Sequence, residues 1–159
     1  MVNEKMIRVM FVCHGNICRS TMAEFLFKDL VKREGRENDF VIESAGVSYE
    51  EEGNPVHRGT RRILDRLNIS CAGKYAVRLE KEDLDKYDYF ICMDESNLSG
   101  TRRILGNAVN DKLYLLLNFA GENRNVSDPW WTGDFETTYR DVKIGLESFY
   151  EYLKSEQKI

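Results

Sequence analysis

Cys13-His14-Gly15-Asn16-Ile17-Cys18-Arg19-Ser20 places a thiol and a guanidinium with five residues between them. A loop that wraps onto a helix N-terminus turns several backbone N–H groups inward, and the helix dipole adds partial positive charge. Gly15 and Asn16 are residue types that tolerate left-handed backbone at little cost, as such an anion nest requires. Positive surroundings favour the thiolate at Cys13, which is the nucleophilic form. Arg19 returns round the loop with a planar fork that matches two oxygens of a tetrahedral oxyanion. Cys13 is therefore the candidate nucleophile, and His14 to Ser20 the candidate phosphate-binding loop. Cys-x5-Arg alone is a weak pattern; here it gains weight from lying between an apolar strand and a helical stretch.

Transfer of a phosphoryl group from an ester also needs a proton for the leaving oxygen, typically a ~10²–10⁴-fold effect. The candidate donor is Asp128, in Ser127-Asp128-Pro129-Trp130-Trp131. Pro129 pushes Asp128 toward extended backbone, and Trp130 and Trp131 offer a wall for an aromatic substrate. Asp-Pro also simply starts turns, so this assignment leans on the Cys13 loop. Asp94 is the rival acid, but Asp94-Glu95-Ser96-Asn97 reads as a helix N-cap whose carboxylate is occupied by backbone donors. His14 and His57, with Cys13 and Cys18, resemble no closed four-ligand set, and a metal would cancel the thiolate's role. No metal is expected.

These side chains need a scaffold, and the chain alternates two kinds of segment. Ile7 to Val12 is a short apolar run that reads as a buried strand. Met22, Ala23, Leu26, Phe27, Leu30 and Val31 then recur at helical spacing up to Gly35. Phe40 to Ile42, Tyr87 to Met93 and Leu113 to Leu117 are further strands, and Arg62 to Leu67 a helix. Ser48 to Pro55 is a loop, and Asn118 to Gly133 a long polar loop of the kind that is usually functional. Tyr139, Val142, Leu146, Phe149, Tyr150 and Leu153 mark the apolar face of a closing helix. The pattern predicts an α/β three-layer sandwich: a four-stranded, mostly parallel twisted sheet with helices on both faces, as a single domain over residues 1–159. Ligands in such folds bind outside the carboxyl ends of the strands. Those ends are Cys13 to Ser20, Ser44 to Gly46, Met93-Asp94 and the loop before Gly133.

Composition narrows the class. The 159 residues carry 23 Lys plus Arg against 27 Asp plus Glu, a net charge of -4, which argues against nucleic-acid or acidic-membrane surfaces. Hydrophobic and charged fractions of 42% and 31% fit a globular protein. No apolar run reaches the roughly 18 residues a bilayer span needs. Met1-Val2-Asn3-Glu4-Lys5 shows no signal-peptide cleavage pattern. Four cysteines without framework spacing read as reduced thiols, hence a cytoplasmic protein.

At these residues the chain resembles the low-molecular-weight protein tyrosine phosphatases. The likeness rests on Cys13-x-Gly15-Asn16-x-Cys18-Arg19-Ser20 with Met22-Ala23-Glu24, then Glu43-Ser44-Ala45-Gly46, Asp88-Tyr89 and Cys92 to Leu98. It continues through Asp128-Pro129 with paired aromatics to Phe135-Glu136-Thr137, and so covers nearly the whole chain in order. The resemblance implies that Cys13 forms a phosphocysteine, that Arg19 and the loop amides hold the equatorial oxygens, and that Asp128 is general acid and then base. It implies that Ser20 hydrogen-bonds the thiolate and that Asn16 and Ser44 hold the loop in shape. Cys18 would pair reversibly with Cys13 under oxidation. The implied partner is a phosphotyrosine-containing protein or a small aryl phosphate, met by a monomer or weak dimer, and no metal or organic cofactor is implied.

The sequence departs from the family at several points. Thr21 stands where the family usually has Pro, and Thr21-Met22-Ala23-Glu24 reads instead as a capping box. His14 occupies a variable site at the pocket mouth, where its charge would make substrate preference pH-sensitive. Trp130 and Trp131 replace tyrosines that some members phosphorylate, and Tyr49 falls at an aromatic or variable specificity position on the expected substrate wall. Three other functions compete. A thioredoxin-coupled arsenate reductase needs two neighbouring relay thiols, whereas Cys71 and Cys92 lie far apart in sequence. A protein-arginine phosphatase places a small polar residue where Ile17 stands, and Ile17 favours an aromatic ester by apolar contact. A non-catalytic phosphopeptide-binding module would be free to lose Cys13 or Asp128.

Overall fold

The computed structural model describes residues 6–159; Met1 to Lys5, on which the N-terminal reading rests, lie outside the described residues. The strand β1 (Ile7–Cys13) shows why the sheet is central. Successive side chains of a strand point to opposite faces. Val9, Phe11 and Cys13 join one core with Met22, Phe27, Leu146 and Phe149, while Met10 and Val12 join a second with Phe90, Cys92, Leu105 and Val109. A strand covered on both faces has to read as a continuous apolar run, which IRVMFVC nearly is.

Helices α1 (Arg19–Arg33) and α5 (Phe135–Ser155) cover the first face, with α2 (Arg58–Arg66) packed against both. Helix α3 (Glu95–Leu105) covers the other. Phe27 anchors the first core: its ring lies 5.8 Å from Phe11, 5.4 Å from Phe40 and 5.4 Å from Phe149. Burying such a side chain is worth about 1.5–3 kcal/mol. Strands β2 (Phe40–Gly46), β3 (Tyr89–Cys92) and β4 (Leu113–Leu115) complete the sheet in the order β2-β1-β3-β4. Every pairing is parallel, so the sheet is wholly rather than mostly parallel. Cys13 pairs with Gly46 and Val12 with Cys92, so the loops after β1, β2 and β3 leave along one edge. The chain goes from β1 to β2 on one side and then crosses to β3 on the other. That makes β1 the switch point where such folds open a crevice.

Several boundaries differ from the sequence reading. Helix α1 starts at Arg19, and its N-cap is Cys18 rather than Thr21. The Thr21 hydroxyl donates back to the Cys18 carbonyl (3.0 Å), and Glu24 turns inward to Ser44, so no Thr21–Glu24 capping box forms. Helix α2 starts at Arg58, four residues before the expected Arg62, because His57 Nδ1 caps it by accepting from the Gly59 N–H (3.0 Å). Burial first, and then Arg58, lower the His57 pKa, which suits an imidazole acting as acceptor. Strand β3 is only Tyr89–Cys92; Asp88, just before it, accepts from the Arg8 N–H (2.9 Å). Strand β4 stops at Leu115, where the chain tightens into a 3-10 turn, Leu116–Ala120. The stretch from Asn118 to Gly133 is not structureless, since it contains the end of that turn and the short helix α4 (Pro129–Thr132).

Candidate active site

Cys13 ends β1 and Arg19 opens α1, so the five residues between them must reverse direction over the edge of the sheet. Asn16 makes the reversal, with φ of 62°. It is the one loop residue in left-handed backbone; Gly15, expected to share that role, has no positive φ. Gly46 matters more than Gly15 for fit: a Cβ there would come within 2.7 Å of the His14 carbonyl oxygen, so a side chain at the end of β2 would displace the loop.

The loop's carbonyls are satisfied from outside. The His14 carbonyl accepts from the N–H groups of Val47 (3.0 Å) and Ser48 (3.1 Å), the Ile17 carbonyl from the His57 N–H (2.9 Å), and the Cys18 carbonyl from the Thr60 hydroxyl (3.0 Å). Among the described residues no protein acceptor takes the N–H groups of His14, Gly15, Ile17, Cys18 or Arg19. Turned away from their own carbonyls, these donors form an anion nest on the N-terminus of a fifteen-residue helix. The Cys13 sulfur sits in it, 3.3 Å from the Asn16 nitrogen, which donates to it, and 3.0 Å from Ser20 Oγ.

Asn16 Nδ2 donates to Ser20 Oγ (2.8 Å) and to Ser44 Oγ (2.9 Å), while its Oδ1 accepts from the Val77 N–H (3.0 Å). Ser44 in turn donates to Glu24 (2.5 Å), a buried carboxylate also held by Lys28 (2.6 Å) and, farther off, by Lys74 (3.5 Å). Glu24 shares the inward face of α1 with Phe27 and Val31, and that spacing is the sequence signal for a role beyond capping. Asn16→Ala strands these buried partners and forfeits a residue suited to left-handed backbone. We expect it to cost about 2–4 kcal/mol in chemical denaturation, from roughly 1 kcal/mol per hydrogen bond and a similar backbone term, with loss of activity.

Arg19 is almost fully buried. Its Nη1 donates to Asp94 Oδ2 (2.8 Å) and to the Val126 carbonyl (3.0 Å), and its Nη2 lies 3.5 Å from Asp128 Oδ2. Burial works against its charge, but Cys13, Asp94 and Asp128 outweigh that and raise its pKa, so it is held firmly cationic. Asp94 is an N-cap, as expected: its Oδ1 accepts from the Asn97 N–H (2.8 Å) in a reciprocal capping box that starts α3. Its other oxygen orients Arg19, a second role that local spacing does not reveal.

Asp128 caps α4 through the Trp130 N–H (3.1 Å) and keeps its second oxygen toward Arg19. A cavity of about 570 Å³ opens here, lined by the Cys13 loop, Asp94 and Asp128, with Trp130 and Trp131 at its mouth. His14 is also at the rim, its Nε2 3.1 Å from Glu50. Tyr49, expected on the same wall, is not part of the lining. Its ring packs 4.3 Å from the Arg78 guanidinium carbon and its hydroxyl accepts from Arg78 (3.1 Å), which draws it aside.

The remaining thiols divide. Cys18 lines the cavity with Cys13, and burial together with the nearby Cys13 and Asp128 charges pushes its pKa up. Cys92 is wholly buried in β3, its pKa pushed up to about 12 by burial. Cys71 lines a separate cavity of about 630 Å³ with Arg61, Asp65 and Tyr75. Among the described residues no three His, Cys, Asp or Glu side chains gather as a metal-ligand set.

A parallel α/β sheet with a thiol nucleophile in an anion nest, a buried guanidinium beside it and a carboxyl across the cavity defines a cysteine-dependent site for tetrahedral oxyanions. Residues 8–159 match the family model described as low molecular weight phosphotyrosine protein phosphatase. The low molecular weight protein-tyrosine-phosphatase YfkJ of Bacillus subtilis is 38% identical over 156 residues, covering 97% of this chain and 100% of that one. The crystal structure of YfkJ superposes with a TM-score of 0.93 over 98% of this chain and 99% of that one. A low molecular weight protein tyrosine phosphatase from Streptococcus pyogenes is 38% identical with a TM-score of 0.84 over 93% of each chain. A Drosophila arginine phosphatase is 26% identical, also at 0.84, over 93% of this chain and 98% of that one. The chain belongs to the low molecular weight phosphotyrosine protein phosphatase family, and it is a phosphatase.

Proposed function

We propose that the protein hydrolyses phosphotyrosine, in proteins or as small aryl phosphates, through a phosphocysteine intermediate. The Cys13 sulfur attacks phosphorus as the ester P–O bond breaks, and Asp128 gives its proton to the departing phenolate oxygen. A water then attacks the phosphocysteine, losing its proton to Asp128, and the S–P bond breaks to return the thiolate and release inorganic phosphate. Arg19 and the loop amides hold the three equatorial oxygens in both steps. The Ser20 hydroxyl, 3.0 Å from Sγ, stabilises the sulfur as it leaves. Asn16 and Ser44 keep the loop in that shape, and Cys18 is the partner for a reversible disulfide with Cys13. Every group named comes from one chain, which suits a monomer or weak dimer, and the four free cysteines suit the cytoplasm.

The observation that carries this reading is the placement of Asp128 and two tryptophans across the same cavity as Cys13. Ile17 lines that cavity as well, an apolar contact for an aromatic ring rather than a polar one for a guanidinium. The test compares phosphotyrosine, phosphoserine and phosphoarginine peptides in the presence of a chelator, with arsenate reduction assayed alongside. We expect phosphotyrosine to have the highest kcat/KM. Faster phosphoarginine turnover, or thiol-dependent arsenate reduction, would overturn it.

A further inference from the structure

Asp128 ends a segment, residues 121–128, that has little apolar anchorage. Val126 is its buried hydrophobic residue, while Gly121, Asn123, Arg124 and Asn125 are exposed. Apart from Val126 and the buried Pro129 that follows Asp128, polar contacts hold this segment in place. The Val126 N–H donates to the Met93 carbonyl (2.9 Å), the Glu95 N–H to Asn125 Oδ1 (3.2 Å), and the Thr138 hydroxyl to the Ser127 carbonyl (3.0 Å). One contact differs in kind. Arg124 straddles Asp141 of α5, Nη1 to Oδ2 at 3.0 Å and Nη2 to Oδ1 at 2.9 Å, while its Nε donates to Glu122 (2.6 Å).

Asp141 is the second half of the observation. It is 5% exposed, flanked by buried Thr138, Val142 and Gly145 on α5. A buried carboxylate is costly unless paired, and among the described residues Arg124 is its sole side-chain partner. Neither Arg124 nor Asp141 touches the cavity of Cys13, so the phosphate chemistry gives this charge no use. A two-point fork fixes orientation as well as distance, which a single lysine ammonium does not.

We propose that the Arg124–Asp141 fork is the positioning device for Asp128, fixing the acid loop to α5 so that the carboxyl meets the leaving oxygen. This rests on the acid role given to Asp128 above. Arg124 is a positioning residue: it acts only through Asp128, so its loss should matter only where a proton is needed. Small displacements of a catalytic group cost about 10-fold to 100-fold in rate.

The test measures kcat for phenyl phosphate, a poor leaving group, and for 2,4-dinitrophenyl phosphate, a good one. It uses Arg124→Gln, Arg124→Lys and the paired Arg124→Met/Asp141→Leu, each with and without Asp128→Ala. The paired variant removes both charges together and so avoids leaving a buried charge alone. We expect Arg124→Gln and the paired variant to lose about 10-fold or more on phenyl phosphate and under about two-fold on the dinitrophenyl ester. Arg124→Lys should recover part of that loss. With Ala at position 128 the Arg124 substitutions should have no further effect. Equal losses on both esters, or losses that add to Asp128→Ala, would show a general structural role and overturn the inference. If Asp128→Ala itself shows no dependence on the leaving group, the acid assignment falls, and the inference with it.

Discussion

Cys13→Ser eliminates turnover, by about 10³-fold or more, while the protein still binds a phosphate analogue. The two halves of that result come from different parts of the site. The nucleophile is a single sulfur, and a hydroxyl in its place has no thiolate to offer. Binding belongs to the loop amides and to Arg19, whose guanidinium is held by Asp94 and the Val126 carbonyl independently of the sulfur. Calorimetry with tungstate or a benzylphosphonate should therefore give an affinity within a few-fold of the unaltered protein. Appreciable hydrolysis by the serine variant in the presence of a chelator would contradict a covalent route.

Asp128→Ala should slow phenyl phosphate hydrolysis by ~10²–10⁴-fold. Esters whose leaving groups depart without a proton should lose far less. Asp128 lines the cavity that holds Cys13, with its Oδ2 3.5 Å from Arg19 Nη2, within reach of a group bound there. The carboxyl also caps α4 through Trp130, so a general loss on both kinds of ester would show that it shapes the tryptophan wall instead. A plot of log kcat against leaving-group pKa separates the two. Its slope should steepen in the variant if Asp128 carries the proton.

Local chemistry makes much of this fold legible in the sequence. The alternation of apolar runs and helical periods in β1, α1 and α5 is written into residue types, because a strand buried on both faces can be built from little else. The Cys13–Arg19 loop and the Asp128-Pro129 turn stand out in the sequence because each puts an unusual residue in an unusual setting. What escaped was set by partners distant in sequence. Helix α3 is mostly polar, ESNLSGTRRIL, and shows itself only through its Asp94 cap. Asp94 reaches Arg19 across 75 positions, and Glu24 reaches Ser44 across 20. The pairing of Tyr49 with Arg78 is hidden for the same reason, since nothing near Tyr49 in sequence marks that neighbour. The start of α2 was missed because a histidine accepting a backbone N–H is an uncommon cap.

The protein has two tryptophans, and both stand at the cavity mouth, Trp130 at 54% and Trp131 at 82% of full exposure. Excited at the red edge of the indole band, where its eight tyrosines hardly absorb, the protein therefore emits from the gateway to Cys13. Indole fluorescence that begins solvent-relaxed shifts to shorter wavelength when an arriving ring strips water from it. The molecule thus has a built-in optical reporter of occupancy, usable in stopped flow with no attached dye.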